Sequence, residues 1–440
     1  MMTCPPPEKG QTPILYILLA IGLACLPARG LAGTHLDSSF ATQGILLSTS
    51  PLGGEVAVGY SVAIDASNRI LVAGVLSDST GTFHMAVWRF DPRGRLDPGF
   101  GTNGVARSPD EDWGWAMTLD SRGRIVVAGF SGNDWRKSER AVIRRFLPDG
   151  RSDPDFGFQG VAVSSSPLGG SRAAAYAIAT GPNDNIIVAG DAAGPQQETH
   201  ATLWRFMTDG RLDQKFGRAG AAVLPMPEDQ GDARSNALAV DNEAILVAGT
   251  MRWKSLALWK ISWNGLPRED FGRGGLAVND WGMGRGIVTA AENRIWVGGF
   301  SYARKGDKVV GELAVLSRFL ADGVVDEAYA TKGVKILPLS KGVTDQESFA
   351  IIQSQDGRLY LAGYAGDKSL VQACFWALTP KGELSPRFGE RGVLVLPNAS
   401  GGKEDRVYAL TMDREGRLLG TGFSRGSDRK MHLAIWRLRP

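Results

Sequence analysis

The segment Gly94-Arg-Leu-Asp97-Pro-Gly-Phe100-Gly101-Thr-Asn-Gly104-Val105 recurs in this chain in seven versions. Close copies carry Asp153, Phe156, Gly157 and Gly160, or Asp213, Phe216, Gly217 and Gly220; a third keeps Phe271, Gly272 and Gly275. Weaker ones hold Asp326, Tyr329 and Gly333, or Ser385, Phe388, Gly389 and Gly392, and the first stands at Asp37, Phe40 and Gly44. The aspartate slots fall at 37, 97, 153, 213, 268, 326 and 385, a period of 55 to 60 residues. A period of that length marks a repeat architecture, in which each unit buries its apolar face against the next.

Working outward from the segment, Asp97 is placed to accept a hydrogen bond from an N–H two or three residues on, which predicts a short capped helical turn. Gly101 closes that turn where a positive φ costs least, and the aromatic residue can plug the space beneath a sheet. Three further segments repeat in every unit. An alternating stretch (Tyr60-Ser-Val-Ala-Ile64, Tyr408-Ala-Leu-Thr-Met412) precedes a polar turn such as Asp120-Ser-Arg-Gly123. A run apolar on both faces then ends in glycine: Ile70-Leu-Val-Ala-Gly74, Ile125-Val-Val-Ala-Gly129, Ile186-Ile-Val-Ala-Gly190, Ile295-Trp-Val-Gly-Gly299. After a variable loop comes Met85-Ala-Val-Trp-Arg-Phe90, Ala201-Thr-Leu-Trp-Arg-Phe206 or Leu433-Ala-Ile-Trp-Arg-Leu438. With the strand after the last glycine of the turn, each unit has four short strands. Runs apolar on both faces suit strands buried between packed sheets.

The expected fold is therefore all-β: a seven-bladed β-propeller of four-stranded blades. The first strand, Ile45-Leu-Leu-Ser48, is expected to complete the last blade and so remove an open sheet edge. Residues 31–440 are read as one propeller domain, and residues 1–30 as a signal peptide. The apolar run Ile14 to Leu26 is too short for a membrane span, and Ala28 and Gly30 offer a cleavage site before Leu31. The expected location is secreted or periplasmic, with no transmembrane segment in the mature chain. Lipid anchoring at Cys25 is the lesser expectation, since Gly22 stands where a large aliphatic residue is usual.

Composition narrows the function classes. There are 57 glycines in 440 residues, roughly twice the usual ~7% share, as a turn-rich chain requires. The formal charge is +3, and residues 1–30 take away Lys9 and Arg29 against Glu8, which leaves +2. That balance gives no electrostatic case for nucleic acid. Cys4 and Cys25 lie in the leader, so Cys374 stands alone, no intrachain disulfide forms in the mature chain, and its strand pattern makes it a small buried hydrophobe.

The repeat resembles the delta-60 repeat family of bacterial exported propeller-like proteins. The resemblance rests on Arg145-Phe-Leu-Pro-Asp-Gly150 followed by Asp153, Phe156-Gly157 and Gly160, and extends over residues 36–440. Arg268 and Ser385 depart from it at the aspartate slot, and Ala41 and Ala330 at the glycine after the aromatic. It implies a propeller-like array and no established activity, so it assigns no catalytic residue.

Most chemistry-bearing residues are accounted for by the repeat. His84, His200 and His432 share one slot, four residues before the strand tryptophan. Equivalent slots in neighbouring sheets lie ~10 Å apart, too far for ring nitrogens that must sit ~2 Å from a metal. One aspartate per unit is a cap and not a catalytic pair. Trp88, Trp204, Trp259, Trp376 and Trp436 recur at the period and read as core. No metal and no cofactor is expected, and the sequence assigns no catalytic residue.

Residues that break the repeat are the more informative ones. The loops entering the first strand, and those between the second and third, differ in every unit and fall at one end of the array, the candidate binding face. There lie Trp113 and Trp115, Trp135, Trp253, and Asp280 with Trp281, tryptophans beside charges in a pattern common in recognition. A competing reading has these rings folding down over sheet edges. Glu111, Glu228, Asp229, Asp232 and Lys305 can rim the channel mouth without any spacing that ties them together. The leading expectation is a monomeric, non-catalytic scaffold binding a protein or a glycan. The alternative is a hydrolase or lyase acting on an extracellular polymer through loop carboxylates.

Overall fold

A computed structural model describes residues 35–132, 140–227, 231–290, 293–305, 308–338 and 343–440. Residues 1–30, Trp135, Glu228 and Asp229 lie outside the described residues. Among those described there are twenty-eight strands and almost no helix beyond a three-residue 3-10 turn at Pro182–Asp184. No helix among them is long and apolar enough to cross a membrane.

The strands group as the sequence period dictates. In the first set Gly53–Ile64, Ile70–Asp78, Phe83–Phe90 and Val105–Arg107 pair antiparallel in chain order. Four more such sheets begin with Asp112–Leu119, Ala173–Thr180, Ala233–Val240 and Met283–Thr289. The remaining sets begin with Asp345–Gln353 and Glu404–Met412. Single parallel bridges, Val371↔Glu404 and Val56↔Met431, join these two to each other and to the first set. The strand Ile45–Ser48 pairs antiparallel with Met431–Leu438, in the register Ile45↔Trp436 to Ser48↔Leu433.

Packing follows from the double-faced apolar runs. Val126, Ala128 and Ile143 of one sheet share a cluster with Ala173, Ala175, Val188 and Trp204 of the next. Leu419, Leu433 and Ile435, near the C-terminus, pack with Ala57, Val62 and Trp88. The five period tryptophans are fully buried, each a site where truncation to alanine costs about 3–5 kcal/mol. Cys374 is buried as well, and its burial pushes the thiol well above its ordinary value.

The repeated Asp-aromatic-Gly segment corrects one expectation. It forms a hydrogen-bonded turn and no helix: Phe100 N–H donates to Asp97 O (3.1 Å) and Gly104 N–H to Phe100 O (2.8 Å). One oxygen of the Asp97 carboxylate accepts from Gly99 N–H (3.0 Å), and the other from Nε of Arg89 (2.8 Å), the arginine of the preceding strand. That guanidinium lies 4.5 Å above the Phe100 ring, and its Nη1 donates to Pro148 O in the next unit. Arg145, Arg205 and Arg437 do the same toward Thr208 O, Trp263 O and Pro92 O. The segment is therefore a stitch between neighbours as well as a cap. Gly101 has φ +54°, and a Cβ there would stand 2.3 Å from Val105 O, so a side chain would meet both strain and a clash.

Candidate functional site

The first strand of each set carries the same irregularity. Opposite the second strand, one residue is skipped by the pairing: Tyr60, Trp115, Tyr176, Asn236, Arg285, Phe349 and Tyr408. A bulge of this kind leaves its extra residue unpaired and re-aims the side chain. Its cause can be read in the second strand. The glycine that ends each apolar run lies against the carbonyl two residues before the bulge, and a Cβ on Gly74, Gly129, Gly190, Gly249, Gly299, Gly363 or Gly422 would fall 1.6–2.0 Å from that oxygen. Only glycine lets the two backbones approach so closely.

The seven bulge residues converge. Each is half-buried and follows a buried residue, and all line one pocket of about 520 Å³, within the ~300–1,000 Å³ usual for small-molecule sites. Tyr60 stacks on Trp115 with centroids 4.4 Å apart and planes at 11°, and contacts Tyr408 at 5.0 Å. Tyr408 meets Phe349 edge-on at 4.9 Å, and Trp115 meets Tyr176 at 5.7 Å. Burial pushes the phenols of Tyr60 and Tyr408 up, the latter to about 12, so both stay neutral.

The remaining arc of the pocket is polar. Asn236 donates from Nδ2 to Gly284 O (2.8 Å). Arg234 donates from Nε to Asp191 Oδ2 (2.8 Å), and Arg172 from Nη1 to Asp191 Oδ1 (3.0 Å). Asp191 is wholly buried, so the two arginines are the partners its charge requires. Arg285 donates from Nε to Glu347 Oε1 (2.7 Å). Burial raises the Glu347 carboxyl to about 7 against the opposing pull of Arg285. Glu312, hydrogen-bonded by the Tyr364 hydroxyl (2.5 Å), also acts on it as a like charge.

The tryptophans singled out in the sequence separate into two groups. Trp115 is a bulge residue, and Trp113 lines the pocket while packing on Phe83 (4.7 Å) and Phe130 (5.8 Å). Trp253, 44% exposed, lies 4.8 Å from the Arg234 guanidinium, and Tyr176 lies at the same distance from it. Asp280 and Trp281 do not line the pocket; Asp280 accepts from Ser255 Oγ (2.9 Å) and Trp281 is 41% exposed. Asp232 accepts from Thr199 N–H (2.8 Å), at the start of strand Thr199–Phe206 of the preceding unit. His84, His200 and His432 each lie beside a carboxylate of their own sheet, Asp78, Glu198 and Asp428. No group of three or more metal-ligating side chains occurs among the described residues.

Tyr60, Tyr176, Asn236, Arg285, Phe349 and Tyr408 lie within strands, away from the loops where the repeat is broken. A signal existed. In six of the seven units the bulge residue stands fourteen positions before the run-ending glycine, and in the unit of Asn236 thirteen; that slot is aromatic five times, at the head of an otherwise small, aliphatic strand.

Two segments, residues 66–100 and 123–156, match the family described as a domain of unknown function (DUF5122) beta-propeller. No curated protein matches the chain. Among solved structures it is similar to the polysaccharide lyase Uly1 at 9% identity and a TM-score of 0.51, over 88% of this chain and 90% of that one. A protein of unknown function from Dyadobacter fermentans is 12% identical at a TM-score of 0.45, over 90% and 98% of the two chains. PorZ, a surface component of the type-IX secretion system of Porphyromonas gingivalis, is 11% identical at 0.41, over 86% and 46%. Likeness at such identity concerns the fold alone. The chain is a repetitive β-propeller of four-stranded antiparallel sheets.

Proposed function

We propose that residues 31–440 form a single, monomeric seven-bladed propeller, closed by strand Ile45–Ser48 within the seventh blade, exported behind a leader at 1–30. We further propose that it is a non-catalytic binding module taking a glycan at its axial pocket. The observation that carries the binding reading is the convergence of seven bulge residues, five of them aromatic, on one pocket. Flat rings around a cavity present the apolar faces on which sugar rings stack, and the Arg and Asn arc supplies donors for hydroxyls. The pairing of Ile45–Ser48 with Met431–Leu438, and the packing of Leu433 and Ile435 on Trp88, support closure.

The experiment is a saccharide binding screen read by tryptophan fluorescence, since Trp113 and Trp115 lie in the pocket wall. Trp115→Ala is expected to weaken binding on the order of tenfold or more, as loss of a buried aromatic anchor does. Unchanged affinity in a folded variant would refute the site. Fractionation, native mass and the N-terminus of mature protein test export and the monomer; retention of residues 1–30 would refute the leader.

One observation favours a second reading. Glu347 is a buried carboxyl held near neutrality beside Arg285 and near Glu312, the environment of a general acid. The lyase Uly1 shares the fold, which permits an enzyme without assigning one. Product release from a bound polysaccharide, abolished by Glu347→Gln, would replace the binding reading with a polymer-cleaving one.

A further inference from the structure

The pocket is two-sided, and its polar side is cationic. Among the described residues its wall holds three arginines, Arg172, Arg234 and Arg285, and no carboxylate; the acids that orient them, Asp191 and Glu347, are buried and do not line it. Asp191 serves two of the arginines and Glu347 one, so the wall keeps a positive excess.

Arg234 and Arg285 are held differently from ordinary surface arginines. Each is fixed through Nε alone, at 2.8 and 2.7 Å, which sets the plane of the guanidinium. Aromatic rings pack on both: Tyr176 and Trp253 each lie 4.8 Å from the Arg234 guanidinium, and Phe300 and Phe349 lie 5.3 and 5.8 Å from that of Arg285. Among the described residues, no protein acceptor takes a hydrogen bond from either pair of terminal nitrogens. Arg172, by contrast, spends both on Asp191 and Thr199. Asn236 follows Arg234 by two residues on the same strand, its Nδ2 used on Gly284 O beside Arg285. Two pre-oriented forks with unspent donors, facing a wall of aromatic rings, match a ligand that is planar and anionic at one edge and ring-shaped and apolar on one face.

We infer that the pocket selects a saccharide bearing a carboxylate, a uronic-acid-type residue, with the carboxylate on the terminal nitrogens of Arg234 and Arg285 and the sugar ring against Tyr60 and Trp115. This rests on the glycan-binding reading and adds the charge of the ligand to it. Arginine suits the task because its guanidinium meets a carboxylate through two parallel hydrogen bonds, and the aromatic enclosure lowers the local dielectric in which they form.

The test compares three probes on the full chain by calorimetry: an oligogalacturonate, its methyl ester and a neutral cello-oligosaccharide. The oligogalacturonate is expected to bind on the order of tenfold or more tighter than its ester, with the margin shrinking as salt rises. Arg234→Gln leaves Asp191 still paired with Arg172 and is expected to erase most of the difference between acid and ester. Arg285→Lys, which keeps the charge and loses the fork, is expected to erase part of it. Equal affinity for acid and ester would overturn the charge inference and leave glycan binding standing. Binding of none of the three would overturn both, as would selective binding of a peptide carboxylate alone.

Discussion

Gly129→Ala tests the origin of the site. The Cβ it adds would stand 1.6 Å from Trp113 O and 2.8 Å from the carbonyl carbon, where real contacts stay above 3.0 Å. The two backbones must therefore part by about 1.4 Å, or the first strand must slide. Parting strains a packed sheet junction and costs about 1–3 kcal/mol, the usual range for overpacking. Sliding by one residue would instead carry Trp115 off the axis and bring a neighbour of opposite facing in its place. Both outcomes are readable. Urea unfolding should show a lower midpoint at unchanged slope, and the near-ultraviolet dichroism of the Tyr60–Trp115 stack should weaken. Gly231→Ala is the control: its Cβ meets nothing within 4 Å and its φ is not positive, so its effect should stay within about 0.5 kcal/mol. A Gly129→Ala protein with the midpoint and spectrum of the parent would refute the claim that glycine permits the bulge.

Two further outcomes follow from burial. Phe40 is fully buried beneath Arg437, whose guanidinium lies 4.4 Å from its ring; if the ring closes there, Phe40→Ala should cost about 3–5 kcal/mol, as much as Phe156→Ala in an interior unit. A clearly smaller cost in urea unfolding would favour an open array with a frayed end. Glu347 has a folded-state pKa of about 7 against 4.5 for the free side chain, so the folded state holds the extra proton between those values. Stability should therefore be greatest on the acid side and fall as pH rises from about 4.5 through 7, by an amount on the order of 3 kcal/mol at most. Glu347→Gln should flatten that part of the urea-midpoint profile, and a profile identical to the parent's would show that the residue does not control it.

The fold was legible because each repeat states the same local rules: a turn that needs glycine, a run apolar on both faces, a tryptophan at the period. The cap expected at Asp97 was half the truth, since a carboxylate that bonds Gly99 also pairs with Arg89; the same eight-residue spacing recurs at Arg145–Asp153, Arg205–Asp213 and Arg318–Asp326, but spacing across a turn does not by itself show a contact. The site was only partly legible. Trp113, Trp115 and Trp253 stood out because they interrupt the repeat; the first two line the pocket and the third packs on its Arg234, whereas Asp280 and Trp281 interrupt it equally and do neither. Arg285 and Tyr176 looked like ordinary strand residues, because a bulge inserts a residue without altering composition. Arg234 gained its meaning only from Asp191, forty-three residues away and buried.

The two ends of the described chain meet. Leu36 bridges Leu438, and Arg439 N–H donates to His35 O. In the register of that sheet Leu438 lies across from Leu418, which pairs with Met412, whereas Arg406, near the opposite end of the same strand, is level with Phe423 and Leu433. Both ends therefore leave the sheet on the side away from the one where Arg234, Glu347 and Arg406 sit at equivalent positions, two residues before their bulges. A tether joined at either end of the described chain, to a surface, a fusion partner or a bead, would hold the molecule by the side away from Arg234, Glu347 and Arg406.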